Sequence, residues 1–151
     1  MGVDITGKNP TDKVGEYFRN SWWWWRPLWQ YCEFVAPDLA AKVQYPGSND
    51  GSGLGDADSR ALAAKIKREY DEGLTAYYAE KYRKAVAELP MHPCNFCNGT
   101  GIRNDAFVNG VCNACSGAGK LPHQQASYPF DAENARKFAE FLEHCGGFEI
   151  W

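Results

Sequence analysis

The sequence predicts an α+β fold: a small, partly antiparallel sheet packed by about four helices, with a four-cysteine zinc ribbon inserted between the third and last helix. Three observations carry that expectation. Extended segments stand at residues 2–6 and 15–25 and again in the closing Phe148-Glu149-Ile150-Trp151. Between them, apolar residues recur at helical spacing. Two cysteine pairs, Cys94/Cys97 and Cys112/Cys115, then interrupt the helical pattern.

Residues 2–6 (GVDIT) read as a short strand, followed by a turn at Lys8-Asn9-Pro10. Residues 15–25 (GEYFRNSWWWW) are dense in aromatics, so an extended segment is expected there. In a strand, Trp22 and Trp24 would share one face and Trp23 and Trp25 the other. Both faces would be aromatic, and at least one would have to be covered or bind something. Pro27 suits the first position of a helix whose stripe is Leu28, Tyr31, Cys32 and Val35, and Pro37 stops it. Residues 45–56 read as a glycine-rich loop.

Two further helices follow. Asp58 or Ser59 is expected to cap the first, with Leu62, Ile66 and Tyr70 inward and Gly73 at its end. The second opens at Thr75, turns Tyr78, Tyr82, Val86 and Leu89 inward, and ends at Pro90. Their other faces carry mixed charge, as on a solvated helical hairpin. After the cysteines, Asp131 caps a last helix with Ala135, Phe138, Ala139, Leu142 and Cys145 on one face. The terminal FEIW is apolar enough to pair as a strand, beside residues 2–6 or 15–25. Because residues 120–151 return to the same core, the chain reads as a single domain, 1–151, with residues 91–122 as an insertion.

The cysteine segment repeats C-x-x-C-x-G-x-G, at 94–101 and 112–119. Two thiolates three residues apart on a tight turn occupy adjacent corners of a tetrahedron, and two such turns complete a closed, structural site. One Zn2+ held by Cys94, Cys97, Cys112 and Cys115 is the expected cofactor. Asn109-Gly110 supplies a turn signal for a hairpin between the pairs. His92 and His123 are expected at the surface, and Cys32 and Cys145 as inert buried thiols. The repeat resembles the cysteine-rich repeat of DnaJ-type cochaperones. That family carries four copies and two zincs. Here there are two copies and no His-Pro-Asp signature, so the resemblance implies metal binding only.

Composition narrows function. The chain has six Trp, eight Tyr and eight Phe among 151 residues, a surplus of which some is expected to face a ligand. Net charge is −3 and evenly spread, without the basic excess that duplex DNA or RNA binding needs. No stretch approaches the roughly 18 apolar residues of a membrane span. The N-terminus has no apolar leader, although Met1-Gly2 with Thr6 fits the short, common myristoylation pattern. A reducing cytosol is expected, where paired cysteines bind metal.

Beyond the cysteines, the chain is similar to a small family of uncharacterised proteins of bacteriophages and phage-like elements. The stretches that carry this are MGVDITGKNP, GEYFRNSWWWWRPLW, SNDGSGL and the closing YPFDAENARKFAEFL…GGFEIW. The resemblance implies a phage accessory protein in the cytoplasm of a bacterial host, one that counters host defence. Tryptophan rings stack nucleobases and arginines pair with phosphates. Arg19, Trp22, Trp23, Trp24, Trp25 and Arg26, with Asn49, Asp50 and Gly51 as a phosphate-cradling turn, are therefore the expected site for a small nucleotide-like ligand. No P-loop, GxSxG, H-E-x-x-H or H-x-E motif is present, so a non-enzymatic sequestering protein is the leading reading. Two alternatives stand beside it. One is a zinc-ribbon module that inhibits a host protein; the other is a small hydrolase using carboxylates in the aromatic pocket. A homodimer that covers the second aromatic face is a further alternative to a ligand there.

Overall fold

The computed structural model describes residues 2–151; Met1, on which the myristoylation pattern begins, lies outside the described residues. Two compact units are present: the chain up to Arg83 together with Tyr128–Trp151, and Lys84–Ser127.

The first unit is built on a four-stranded sheet of order β2-β1-β8-β3. Its strands are β1 (Gly2–Gly7), β2 (Tyr17–Ser21), β3 (Gly53–Gly55) and β8 (Gly147–Ile150). All three pairings are antiparallel. In β1 alternate residues point inward, and Val3 and Ile5 are buried. The C-terminal segment pairs with residues 2–7 as expected, and it takes an interior place rather than an edge. Part of the 45–56 segment, read as loop, is strand β3, because Gly53–Gly55 finds the free side of β8.

Helices α1 (Trp22–Val35), α2 (Pro37–Ala40), α3 (Asp56–Asp71), α4 (Leu74–Ala87) and α5 (Ala132–His144) complete this architecture, the last residues of α4 belonging to the second unit. The tryptophan run is the largest departure from expectation. Trp22–Trp25 are the first turn of α1, not the end of a strand. Trp25, Leu28, Trp29 and Cys32 all lie in the core, at i, i+3, i+4 and i+7. Burying that stripe outweighs the extended preference of the aromatics and the one backbone hydrogen bond that Pro27 cannot donate inside the helix. Helix α3 likewise starts earlier than expected. Gly55 is its N-cap residue, Asp56 and Asp58 lie in the first turn, and Ser59 is buried rather than capping.

Helix α5 follows its sequence pattern: Asp131 accepts a hydrogen bond from the Asn134 amide at 3.2 Å, and Ala135, Phe138, Ala139 and Leu142 are buried. Replacing Asp131 by alanine should cost about 1 kcal/mol. A thermal melt should show this as a drop of a few degrees.

The second unit holds two small antiparallel sheets, β4 (His92–Pro93) with β7 (Lys120–Leu121), and, between them in sequence, the hairpin of β5 (Ile102–Asn104) with β6 (Asn109–Val111). Asn109-Gly110 does not form the turn; both residues lie in β6, opposite Asn104 and Arg103. The turn is made by Asp105, whose carboxylate accepts from the amides of Phe107 (2.8 Å) and Val108 (2.9 Å). A side chain that closes the turn itself removes the need for a glycine there.

Candidate functional site

The four cysteines of the repeat come together as a buried cluster. Their sulfurs all lie within 4.8 Å of one another, with Cys94 Sγ 3.9 Å from Cys112 Sγ and Cys97 Sγ 3.8 Å from Cys115 Sγ. Zinc–thiolate bonds of about 2.3 Å in a tetrahedron place sulfurs about 3.8 Å apart, so the spacing fits that metal. The two knuckles are built alike. Gly99 N donates to Cys94 O and Gly117 N to Cys112 O, closing each tight turn. Gly101 N then donates to Cys97 Sγ (3.2 Å) and Gly119 N to Cys115 Sγ (3.3 Å). Cys94 N donates to Gly119 O and Cys112 N to Gly101 O, which locks the halves together.

Positive φ values explain the glycines: Gly101 is at 78° and Gly119 at 70°. A Cβ on Gly101 would collide with Gly117 O, and one on Gly119 with Gly99 O.

Amide donation favours thiolates. Burial pushes the Cys97 thiol up, but the Gly101 N–H and the neighbouring thiols outweigh it and hold it at about 7. At Cys115 burial wins, and the thiol is pushed up to about 11. His92 is half-buried and His123 exposed, and neither belongs to the cluster. Cys32 and Cys145 are fully buried, and burial pushes both thiols up, as for inert side chains.

In the other unit, placing the tryptophans on a helix redistributes the expected ligand residues. Trp22, Trp23 and Asn49 line one cleft of about 470 Å³, together with Gly2, Val3 and Gly47. Trp25 and Arg26 line a neighbouring cleft of about 230 Å³ with Trp29, and Trp22 and Gly47 border both. Gly47 touches the Trp22 ring: a Cβ there would come within 2.9 Å of it. Trp25 itself is core, its Nε1 donating to Pro46 O at 2.6 Å. The Trp29 Nε1 donor is buried without a hydrogen-bond partner.

Arg19 pairs with Asp4 at 3.5 Å and lies beside Gly2, at the margin of the larger cleft. Trp24 faces elsewhere, towards Asn20, Asn134 and Lys137. Asp50 and Gly51 serve the loop: Asp50 accepts from Ser52 N, and the Gly51 amide donates to Ile150 O at 2.8 Å. The Gly51 and Ser52 amides are thus committed within the fold rather than free for a phosphate. Gly2, Val3 and Gly47 escaped the sequence reading, since only the β1–β2 pairing and the Trp22–Gly47 contact bring them to the site.

Fold and cluster together define an α+β protein with a four-cysteine candidate metal centre. Compared with family models, curated proteins and solved structures, the chain matches none. No helix among the described residues is long and apolar enough to cross a membrane.

Proposed function

We propose that the chain is a non-enzymatic binding protein in which one structural zinc organises residues 84–127 and the Trp22/Trp23 cleft takes a small, planar, nucleotide-like ligand. The observation that carries this reading is the convergence of Trp22, Trp23 and Asn49 on one cleft of about 470 Å³, large enough for such a molecule. The indoles offer stacking faces, Asn49 an amide for a base edge, and Arg19 a cation at the margin. Sequestration by a phage accessory protein in a bacterial cytoplasm is part of the proposal, and its support is the sequence stretches alone. The hydrolase alternative needs paired carboxylates, whereas the side chains named along this cleft are aromatic, aliphatic and amide.

Native mass spectrometry before and after denaturation tests the proposal. One zinc and a released nucleotide-mass ligand are expected. Trp22→Ala should weaken that ligand about ten- to hundredfold, the worth of one stacked base, while leaving the zinc in place. Zinc alone, with no nucleotide quenching tryptophan fluorescence, would sink the reading.

A second reading has its own support. Phe107 is 88% exposed on the Asp105-closed turn, and Phe96, Ile102 and Val111 are exposed on the same unit. A rigid loop that holds an aromatic ring in water suits an anchor for a host protein. Capture of one partner that Phe107→Asp abolishes would favour this interaction-module reading over the first.

A further inference from the structure

A second aromatic cleft, of about 370 Å³, opens between α1, α3 and α4, separate from the tryptophans. Helical spacing builds it. Tyr31 and Phe34 are one turn apart on α1, and Leu74, Tyr77, Tyr78 and Lys81 follow i, i+3, i+4 and i+7 on α4. Its rings sit close together: Tyr78 is 4.9 Å from Tyr31 and 5.2 Å from Phe34, centre to centre. Phe34 and Tyr77 are 68% and 61% exposed, so the walls remain open to a visitor. The floor is fixed, because the buried Tyr31 hydroxyl shares a 2.7 Å hydrogen bond with Thr75.

Two charged groups border this space, Glu69 from α3 and Lys81 from α4. Burial pushes the Tyr31 phenol up to about 12, and the Glu69 carboxylate adds to the effect, so its field reaches the floor. The Tyr31 and Tyr78 phenols, both raised chiefly by burial, therefore stay neutral, and the negative faces of the rings add to the carboxylate. Lys81 shows what such a surface attracts: its ammonium stands 5.3 Å over the Tyr77 ring. That side chain is exposed, so water can take its ammonium if another cation occupies the ring face.

We propose that the cleft between α1, α3 and α4 binds an alkylammonium cation of the quaternary type, with Phe34, Tyr77 and Tyr78 as its aromatic walls and Glu69 as its counter-charge. Cation–π attraction grows as the cation sheds water, and a methylated ammonium sheds it more readily than a primary one. A neutral molecule of the same shape gains the walls and nothing from Glu69. An anion is repelled by the ring faces and by Glu69, and finds a partner in Lys81 alone. This site is independent of the tryptophan cleft, and either assignment can fail alone.

Choline and its neutral isostere 3,3-dimethylbutan-1-ol, titrated into the full zinc-loaded chain and followed by NMR at the Phe34 and Tyr77 rings, separate the cases. Saturable choline binding is expected, with the alcohol at least tenfold weaker. Glu69→Gln should weaken choline about tenfold and leave the alcohol unchanged. Lys81→Met should tighten choline, because the resident competitor is gone. Retained zinc and an unchanged melt verify folding of each variant. Absence of saturable choline binding, equal affinity for the alcohol, or indifference to Glu69→Gln would each overturn the proposal.

Discussion

Cys112→Ser is expected to empty the metal site and unfold residues 84–127 while the rest of the chain stays folded. The second unit has little else to hold it: among the described residues, its buried cluster is the four cysteines, with half-buried Leu121 packed against them. A structural zinc contributes about 10–16 kcal/mol of apparent folding free energy at such a site. Losing one of four thiolates opens the closed tetrahedron and leaves the remaining amide donors without a fixed acceptor. The first unit keeps its own core, from Val3 and Ile5 through Trp25 and Ile66 to Phe148. Metal content should fall from one zinc per chain to none. Hydrogen exchange should become fast across 84–127 and stay slow in β1, β8 and α5. Chelation of the wild-type chain should reproduce this pattern, and uniform exchange throughout would contradict the division.

The second large effect is expected at Phe138→Ala, and it should spare the metal. Phe138 is fully buried, and its ring lies 5.1 Å from Phe18, 5.5 Å from Trp25, 6.1 Å from Phe141 and 6.2 Å from Phe148. One side chain thus joins β2, α1, α5 and β8. Truncating a buried Phe removes its transfer free energy and leaves a cavity, together worth about 3–5 kcal/mol. Against a total of about 5–15 kcal/mol, that is a large share of the stability. Urea unfolding of the first unit should show a midpoint lowered by that free energy divided by the slope, the slope itself nearly constant, with one zinc still bound. A change below about 1 kcal/mol would mean that this core is not the cooperative unit.

The metal cluster was legible because its information is local. Two C-x-x-C turns and their glycines specify ligand spacing within eight residues each, whatever surrounds them. Helix α5 was legible for a similar reason, since its cap and its apolar stripe agree. The tryptophan run was not. Four consecutive aromatics satisfy strand propensity, and Pro27 mimics a helix start. The stripe continuing backward from Leu28 to Trp25 was the signal for a helix that begins earlier. That misreading moved the site. On a strand Trp22 and Trp24 share a face, whereas on the helix Trp22 and Trp23 flank one cleft and Trp24 turns away. β3 was invisible because a three-residue strand of two glycines and a leucine carries no pattern of its own; only β8 makes it a strand.

The interior place of β8 also sets an order of events on the ribosome. Residues 84–127 leave the exit tunnel before Gly147–Ile150 does, so the cysteine unit can capture metal while β1 and β3 still lack the strand that joins them. Until then Ile5 and Leu54 lack Ile150 and Phe148, the residues that stand opposite them in the finished sheet. Unpaired strand edges of that kind are aggregation-prone, and the pairing of β8 closes them.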